Sequence, residues 1–508
     1  MHGAAVVDER IRGAAATPPA DARSSAGERT AVAGRWGLTG GRVRRAAPCL
    51  VLVAIAMVLP AVHVARYHVL SPIDEVRHVD YAMRITHLEL VRLGDKLGQE
   101  AMRAEACRGV DLPYQDSPCR TRHFIPEAFR DAGYQTASAH PPIYYLTVGL
   151  VARALVGVGL FHDFVDPARL MGGVFLAAGL VLTYLAGRRL GLRPWVLVAA
   201  LALLPTTSAV LHAASIVNPD AVALLAGAIV VFAAVAWEQR RLSTVGLGAA
   251  GALATGLNTV NFLVVAVVAA WLVVRSPAVE AAARRLGRRW SAARPPDPER
   301  PHATPPAATP LGLRDRFTTA GLALVTGGVA AGAAWAFVDR VRATIDPAIV
   351  PQNRLFAAHG IPPLGVIFAP DNFKAWFPPV DGYEPHYFKT AATTDVQFVI
   401  TVLVAGAMLA AVLRLARRDS LSVLGTVGTF IALAAAPGLV VVNVIVSNVV
   451  VGPEARYGMS LLPVMAIVLA ASVRSRAGAR VLGVFALTAT VTVLVTMLAA
   501  AIPAPLVH

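Results

Sequence analysis

Twenty residues, AAPCLVLVAIAMVLPAVHVA (46–65), and the stretch SPIDEVRHVDY (71–81) just behind them decide how this chain is read. The first carries no charged side chain and, as a helix, covers about 30 Å, the thickness of a bilayer's hydrocarbon core. The second sets Asp74, Glu75, Arg77 and His78 where the chain leaves the lipid. If Pro72 opens a helix, as proline does in a first turn, then Asp74, Arg77, His78 and Tyr81 recur at i, i+3, i+4 and i+7 and share one face. Ionisable residues at a membrane helix are costly to keep and point to a site. An ordinary helix start, where acids favour the positive end of the dipole, would look the same locally.

Composition agrees with a membrane reading. Of 508 residues 56% are apolar and 15% charged, against about 25% charged in soluble domains, and the apolar residues come in long blocks. The class is an all-α, polytopic integral membrane protein. Only Lys96, Lys374 and Lys389 are lysines among 46 basic residues, an arginine excess read as coding bias. The net charge of +15 follows from basic cytoplasmic loops and calls for no nucleic acid. Cys49 lies in the first apolar run. Cys107 and Cys119 share a polar loop, where a disulfide fits an oxidising, extracytoplasmic face; two free thiols are the alternative.

Taken in order, residues 1–47 carry eight arginines and read as a disordered, basic cytoplasmic tail. Residues 48–508 form the transmembrane domain. Its first helix is too long for the apolar core of a signal peptide, so it stays, running from inside to outside. A first outer loop, 71–167, follows, with an interfacial helix over 143–160 that Arg153 interrupts. Spans are expected near 168–187, 194–212, 221–237, 244–257, 262–274, 317–338, 395–413, 421–447, 459–473 and 481–502. With the first, that makes about eleven. Residues 275–316, rich in proline and holding nine arginines, make a cytoplasmic linker; its Arg284, Arg285, Arg288 and Arg289 suit anionic headgroups. Residues 339–394 make a second large outer loop. Basic groups such as Arg188–Arg189, Arg240–Arg241, Arg414 with Arg417 and Arg418, and Arg474 with Arg476 and Arg480 mark the inner ends. The layout puts the protein in an inner or plasma membrane, amino end inside.

On this layout the polar residues of interest gather outside: Asp74, Glu75, His78, His140, Asn218, Asp220, Trp376, His386, Glu454, Arg456 and Tyr457. Sugar transfer from a lipid phosphate suits such a site. Its leaving group is already a phosphate, so one carboxylate suffices to take the proton of an attacking hydroxyl, whereas glycoside hydrolysis needs two at a set separation. A cation should meet the departing phosphate, preferably through two hydrogen bonds.

Four segments carry a resemblance to a family. Pro72-Ile73-Asp74-Glu75 with His78, His140-Pro141-Pro142-Ile143-Tyr144-Tyr145, Asn218-Pro219-Asp220, and Arg456-Tyr457-Gly458 through Leu462-Pro463 resemble, in that order, motifs of GT-C-type membrane glycosyltransferases. They are most similar to an uncharacterised bacterial branch of predicted membrane proteins. The resemblance implies a GT-C-like fold, a polyprenyl-phosphate sugar donor, and transfer, usually inverting, to an extracytoplasmic glycan or lipid of the cell envelope. It implies Asp74 as catalytic base or metal ligand, Glu75 or His78 as its orienting neighbour, and Arg456 as a clamp for the donor phosphate. Arg77, His140, Tyr144, Asn218, Asp220 and Tyr457 fall on the substrate side of the same motifs. Proline between Asn218 and Asp220 departs from the family's pattern and leaves Asp220's role open. A divalent cation, magnesium or manganese, stays open as a cofactor, with too few identifiable ligands to place it.

Plainer roles stand beside these: a cap for Asp74, a structural pairing of His78 with Asp74 and of Asp220 with an outer arginine, a rigid entry for His140-Pro141-Pro142, a snorkelling or interfacial arginine for Arg456, interfacial aromatics for Trp376, Tyr383 and Tyr387. Phosphate loops, dinucleotide fingerprints, zinc spacings and nucleophile elbows are missing from the sequence. A lipid-linked sugar flippase or other transporter, which would place charges mid-membrane and broken helices in both halves, and a non-catalytic assembly partner are the rival functions.

Overall fold

The computed structural model describes residues 34–500 apart from 112–116, 280, 283–314, 347–348, 350–359, 361, 375–376, 384, 386–388, 418, 448–449, 451 and 453. Most of the tail, the arginine run of the linker, Trp376, His386 and Tyr387 lie outside the described residues. The chain divides into two units, 1–47 and 48–508; the first is described only from Gly34, where a helix begins within the stretch read as tail.

Among the described residues the fold is helical, with two isolated bridges and no strand. The main helices are α1 (Gly34–Arg66), α2 (Glu75–Ile85), α3 (Gln99–Arg108), α4 (Pro142–Gly157), α5 (Val165–Arg189), α6 (Pro194–Ala202), α7 (Ser208–Ala213), α8 (Ala223–Glu238), α9 (Thr244–Leu257), α10 (Phe262–Val274), α11 (Arg316–Arg342), α12 (Ala391–Leu413), α13 (Ser420–Ser447), α14 (Leu462–Ser472) and α15 (Arg476–Ala499). Eight segments among them are long and apolar enough to cross a bilayer: Ala46–Arg66, Val165–Arg189, Pro219–Glu238, Arg316–Arg342, Ala391–Leu413, Ser420–Val442, Ala455–Ser472 and Arg476–Ala499. A helical, multi-pass membrane protein follows.

The three other expected spans are shorter than these eight, for physical reasons. Pro205 removes a backbone donor, and the chain tightens into a 3-10 turn at Leu204–Thr206 between α6 and α7. Helices α9 and α10, of 14 and 13 residues, each measure about 20 Å. They stop where Asn258 caps the turn between them by accepting from Val260 N–H.

Helices α8 and α14 sit at the centre, buried along most of their length. Around them α11, α12, α13 and α15 turn large apolar side chains outward, among them Phe337, Phe398, Phe430 and Leu487. Such a face is soluble only against lipid. Without a hydrophobic drive between helices in lipid, close backbone approach at small residues holds such a bundle. Gly227 of α8 runs so near the Ser460 carbonyl that no Cβ would fit.

The ends of α8 orient the rest. At one, Glu238 pairs with Arg275, Arg316 donates to the Trp237 carbonyl, and Trp237 Nε1–H donates to Thr244 Oγ1. At the other, Asn258 Nδ2–H donates to Asp220 and Arg456 pairs with Asp220. Helix α9 therefore runs the length of α8, and α10 returns along it. The stretch from Arg193 to Val217 likewise retraces α5, because Val217 N–H reaches Glu75, the partner of Arg169 in the first turns of α5.

One local expectation is corrected. Helix α2 begins at Glu75 and not at Pro72; Pro72–Asp74 form a turn, and Asp74 caps the helix in the left-handed region, with φ 58°. Asp74 therefore stands just outside the helix that carries Arg77, His78 and Tyr81, while its carboxylate still pairs with Arg77 three residues on.

Candidate functional site

At the Asp220 end of the bundle the four motifs meet. From the first of them, Glu75 is fully buried and makes a two-pronged pair with Arg169, at 2.7 Å on each side. Its oxygens also accept from Ser71 N–H at 2.7 Å and Val217 N–H at 3.0 Å. Arg169 spends its remaining donors on the Tyr67 and Val69 carbonyls. Glu75 is thus committed on every side, tying α2, α5 and the 216–218 turn together. Arg77 is buried too, paired with Asp74 and Asp131 and donating to the Tyr134 carbonyl. It braces the loop. Asp74 keeps about a quarter of its side chain open, at 26% exposure.

His78 and the second motif pack as an aromatic group. His78 Nδ1 lies 2.8 Å from the Tyr145 hydroxyl, and its ring meets that of His140 edge-on at 5.4 Å. Burial, then repulsion from His140 when that ring is protonated and from Arg456 and Arg77, holds the His78 imidazole well below its usual range. Burial likewise brings His140 down to about 4, against a hydrogen bond to Asn258 that pulls the other way, with Arg456 adding to the lowering. Both rings are neutral at pH 7. Tyr144 is buried, its hydroxyl bonded to the Asn218 backbone.

The third motif explains its own proline. Asn218 Oδ1 accepts from Asp220 N–H at 2.8 Å, so Asn218 caps the 3-10 turn Pro219–Val222, with proline in the first turn where it is favoured. Asp220 is buried between Asn258, at 3.0 Å, and Arg456 Nε, at 3.2 Å. Arg456 also pairs with Glu454 at 2.7 Å and lies over the Tyr457 ring, 5.2 Å from its centroid, within cation–π reach.

A small cleft opens here, lined by His212, Asn218, Asp220, Tyr383, Glu454 and Arg456, with Ile73 and Ile216 as apolar walls. Asp74 adjoins it through Ile73. Tyr383 forms part of the cleft wall, its hydroxyl donating to Asp111, which Tyr67 also meets. Among the described residues no group of three or more His, Cys, Asp or Glu is placed to hold a metal ion. Cys107 and Cys119 are joined in a disulfide away from the cleft.

Of the candidates, Asn218, Asp220 and Arg456 line the cleft; Asp74, His78, His140 and Tyr457 stand behind or beside it; Glu75, Arg77 and Tyr144 brace it. Arg169, Asn258, His212 and Asp131 were not among the candidates. Arg169 had a signal, a charge inside an apolar helix; the others gave none. Comparison of the chain with protein-family models, with curated proteins and with solved structures returned no match.

Proposed function

We propose that the protein is a membrane glycosyltransferase that moves a sugar from a polyprenyl-phosphate donor to a hydroxyl of a cell-envelope glycan or lipid. The observation that carries this reading is convergence. Four segments, from Asp74 to Arg456, bring an acid, two neutral histidines and a buried Asp220 paired with Arg456 to one end of an otherwise apolar bundle, where Tyr383 adds an aromatic wall.

In the reaction the acceptor hydroxyl attacks the anomeric carbon and its proton passes to Asp74. The bond from that carbon to the phosphate oxygen breaks, and the lipid phosphate leaves with the electron pair. Arg456 compensates the charge on the departing phosphate. Glu454 is half exposed, at 51%, so its hold on Arg456 is the one an incoming phosphate displaces. Arg77, shared between Asp74 and Asp131, fixes the base in place.

The topology belongs to the same proposal. Helix α9, helix α10 and the broken α6–α7 each run between the two ends of the bundle, supporting eleven crossings of a GT-C-like fold. Arg189, Arg193, Arg240, Arg275, Arg316, Arg414 and Arg476 gather at the end away from the cleft, supporting a cytoplasmic location for that end and an extracytoplasmic one for the site. The break at Leu204–Thr206 is what a transporter reading would use, but residues 203–207 carry no charge.

Purified protein in proteoliposomes, given a radiolabelled polyprenyl-phosphate hexose and a lipid or glycan acceptor, should release lipid phosphate and label the acceptor. Failure across donors of neutral, amino and acidic sugars would remove the reading. Single cysteines at the two ends, probed with an impermeant reagent on cells, test the orientation.

A further inference from the structure

His212 belongs to none of the four motifs, yet it lines the cleft. Its Nε2 lies 3.0 Å from Ser71 Oγ, and both residues are buried. Ser71 Oγ already accepts from Ile73 N–H at 3.2 Å. The hydroxyl has one proton to give, and His212 Nε2 is the acceptor the structure offers it. Were Nε2 protonated and donating instead, the serine proton would sit buried with no acceptor among the described residues, a costly arrangement. The serine therefore donates, and Nε2 accepts. A ring whose Nε2 accepts is neutral and carries its proton on Nδ1.

We infer that His212 is a binding residue of the cleft, offering a fixed Nδ1–H to a hydroxyl oxygen of the sugar, with Ser71 setting the tautomer. The reading of the ligand as a sugar rests on the proposed function; the tautomer does not. Two carboxylates, Asp220 and Glu454, face one guanidinium across the cleft, and the neutral imidazole adds no charge. An uncharged hydroxyl is the fitting partner at His212, not a second anion. The Tyr383 ring leans on the imidazole with centroids 4.9 Å apart, giving the sugar's C–H face an aromatic wall beside the donor.

The test has two arms. In the first, ¹⁵N-histidine spectra of the full chain in nanodiscs at pH 7 are assigned to His212 by difference with His212→Asn. The expected ring has protonated Nδ1 and bare Nε2, and Ser71→Ala shifts it toward Nε2–H. A wild-type ring protonated at Nε2 alone, or at both nitrogens, overturns the inference. In the second, binding of a farnesyl-phosphate hexose is followed by titration. An asparagine amide places its N–H near Nδ1 and a glutamine amide near Nε2. His212→Asn should bind within about threefold of wild type and His212→Gln at least tenfold more weakly; equal loss in both overturns the donor role. Should wild type bind no such sugar while the tautomer is as expected, the functional proposal falls, the Nδ1–H donor stands and the sugar assignment is overturned.

Discussion

Glu75 and Arg169 are paired through both carboxylate oxygens with neither side chain exposed, so the acid beside the proposed base is a structural anchor. Removing one member of such a pair strands a buried charge at a cost of about 3–5 kcal/mol, whereas apolar replacement of both is often tolerated. Glu75→Gln and Arg169→Met should each lower the melting midpoint sharply, and Glu75→Leu with Arg169→Met should recover part of the loss. Thermal unfolding in detergent, with transfer normalised to folded protein, checks this. A Glu75→Gln protein that melts like wild type but transfers no sugar would return Glu75 to the catalytic list.

Asp74 has the opposite profile: part of its carboxylate is open, and its backbone is held in a left-handed turn. Asp74→Asn keeps the shape and removes the proton acceptor. Loss of about 10²–10⁴ in transfer rate is expected for a missing general base, with the midpoint little changed. Asn and Asp tolerate left-handed backbone better than other residues with a Cβ, so Asp74→Ala should lose stability as well as activity. Comparing the two variants separates the chemical role of Asp74 from its conformational one.

Legibility in the sequence followed the physics of each feature. Apolar length declared the eight long helices because lipid imposes a span. Of the three short ones, α9 and α10 lie at 244–257 and 262–274 as the apolar runs indicated, whereas the break that Pro205 makes within 194–212 was not legible. The motifs named Asp220 and Arg456, yet their pairing joins residues far apart in the chain, which no local pattern encodes. Pro72 misled for a specific reason. It is as much at home in a tight turn as in a first helical turn, and Asp74's left-handed backbone selected the turn. His212 stayed silent because its meaning lies in Ser71, 141 residues away.

The two neutral histidines make stability depend on pH. His140 titrates near 4 in the fold against an ordinary value of 6.5, so between those values the unfolded chain binds the proton that the fold refuses. The stabilisation is complete above about pH 6.5 and is lost as pH falls toward 4. His78, also held low by burial, acts in the same direction. Melting midpoints measured from pH 7.5 to 4 should fall through this window, and His140→Gln should flatten part of the slope. A midpoint independent of pH in the wild type would mean that neither ring is kept neutral by its surroundings.

Gly227 decides where Arg456 stands. A Cβ there would collide with the Ser460 carbonyl, in the 3-10 stretch Ala455–Leu461 that carries Arg456. Overpacking of this kind costs about 1–3 kcal/mol, and relief by shifting the stretch would pull the guanidinium from Asp220. Gly483 is the control: it lies within α15 with open space where a Cβ would go, and alanine in a helix interior gains about 0.5–1 kcal/mol over glycine. Gly227→Ala should therefore melt lower and raise the KM for the donor at least tenfold, whereas Gly483→Ala should melt no lower and leave KM unchanged. If Gly227→Ala lost stability alone, with donor KM intact, Arg456 would not be the group that meets the phosphate.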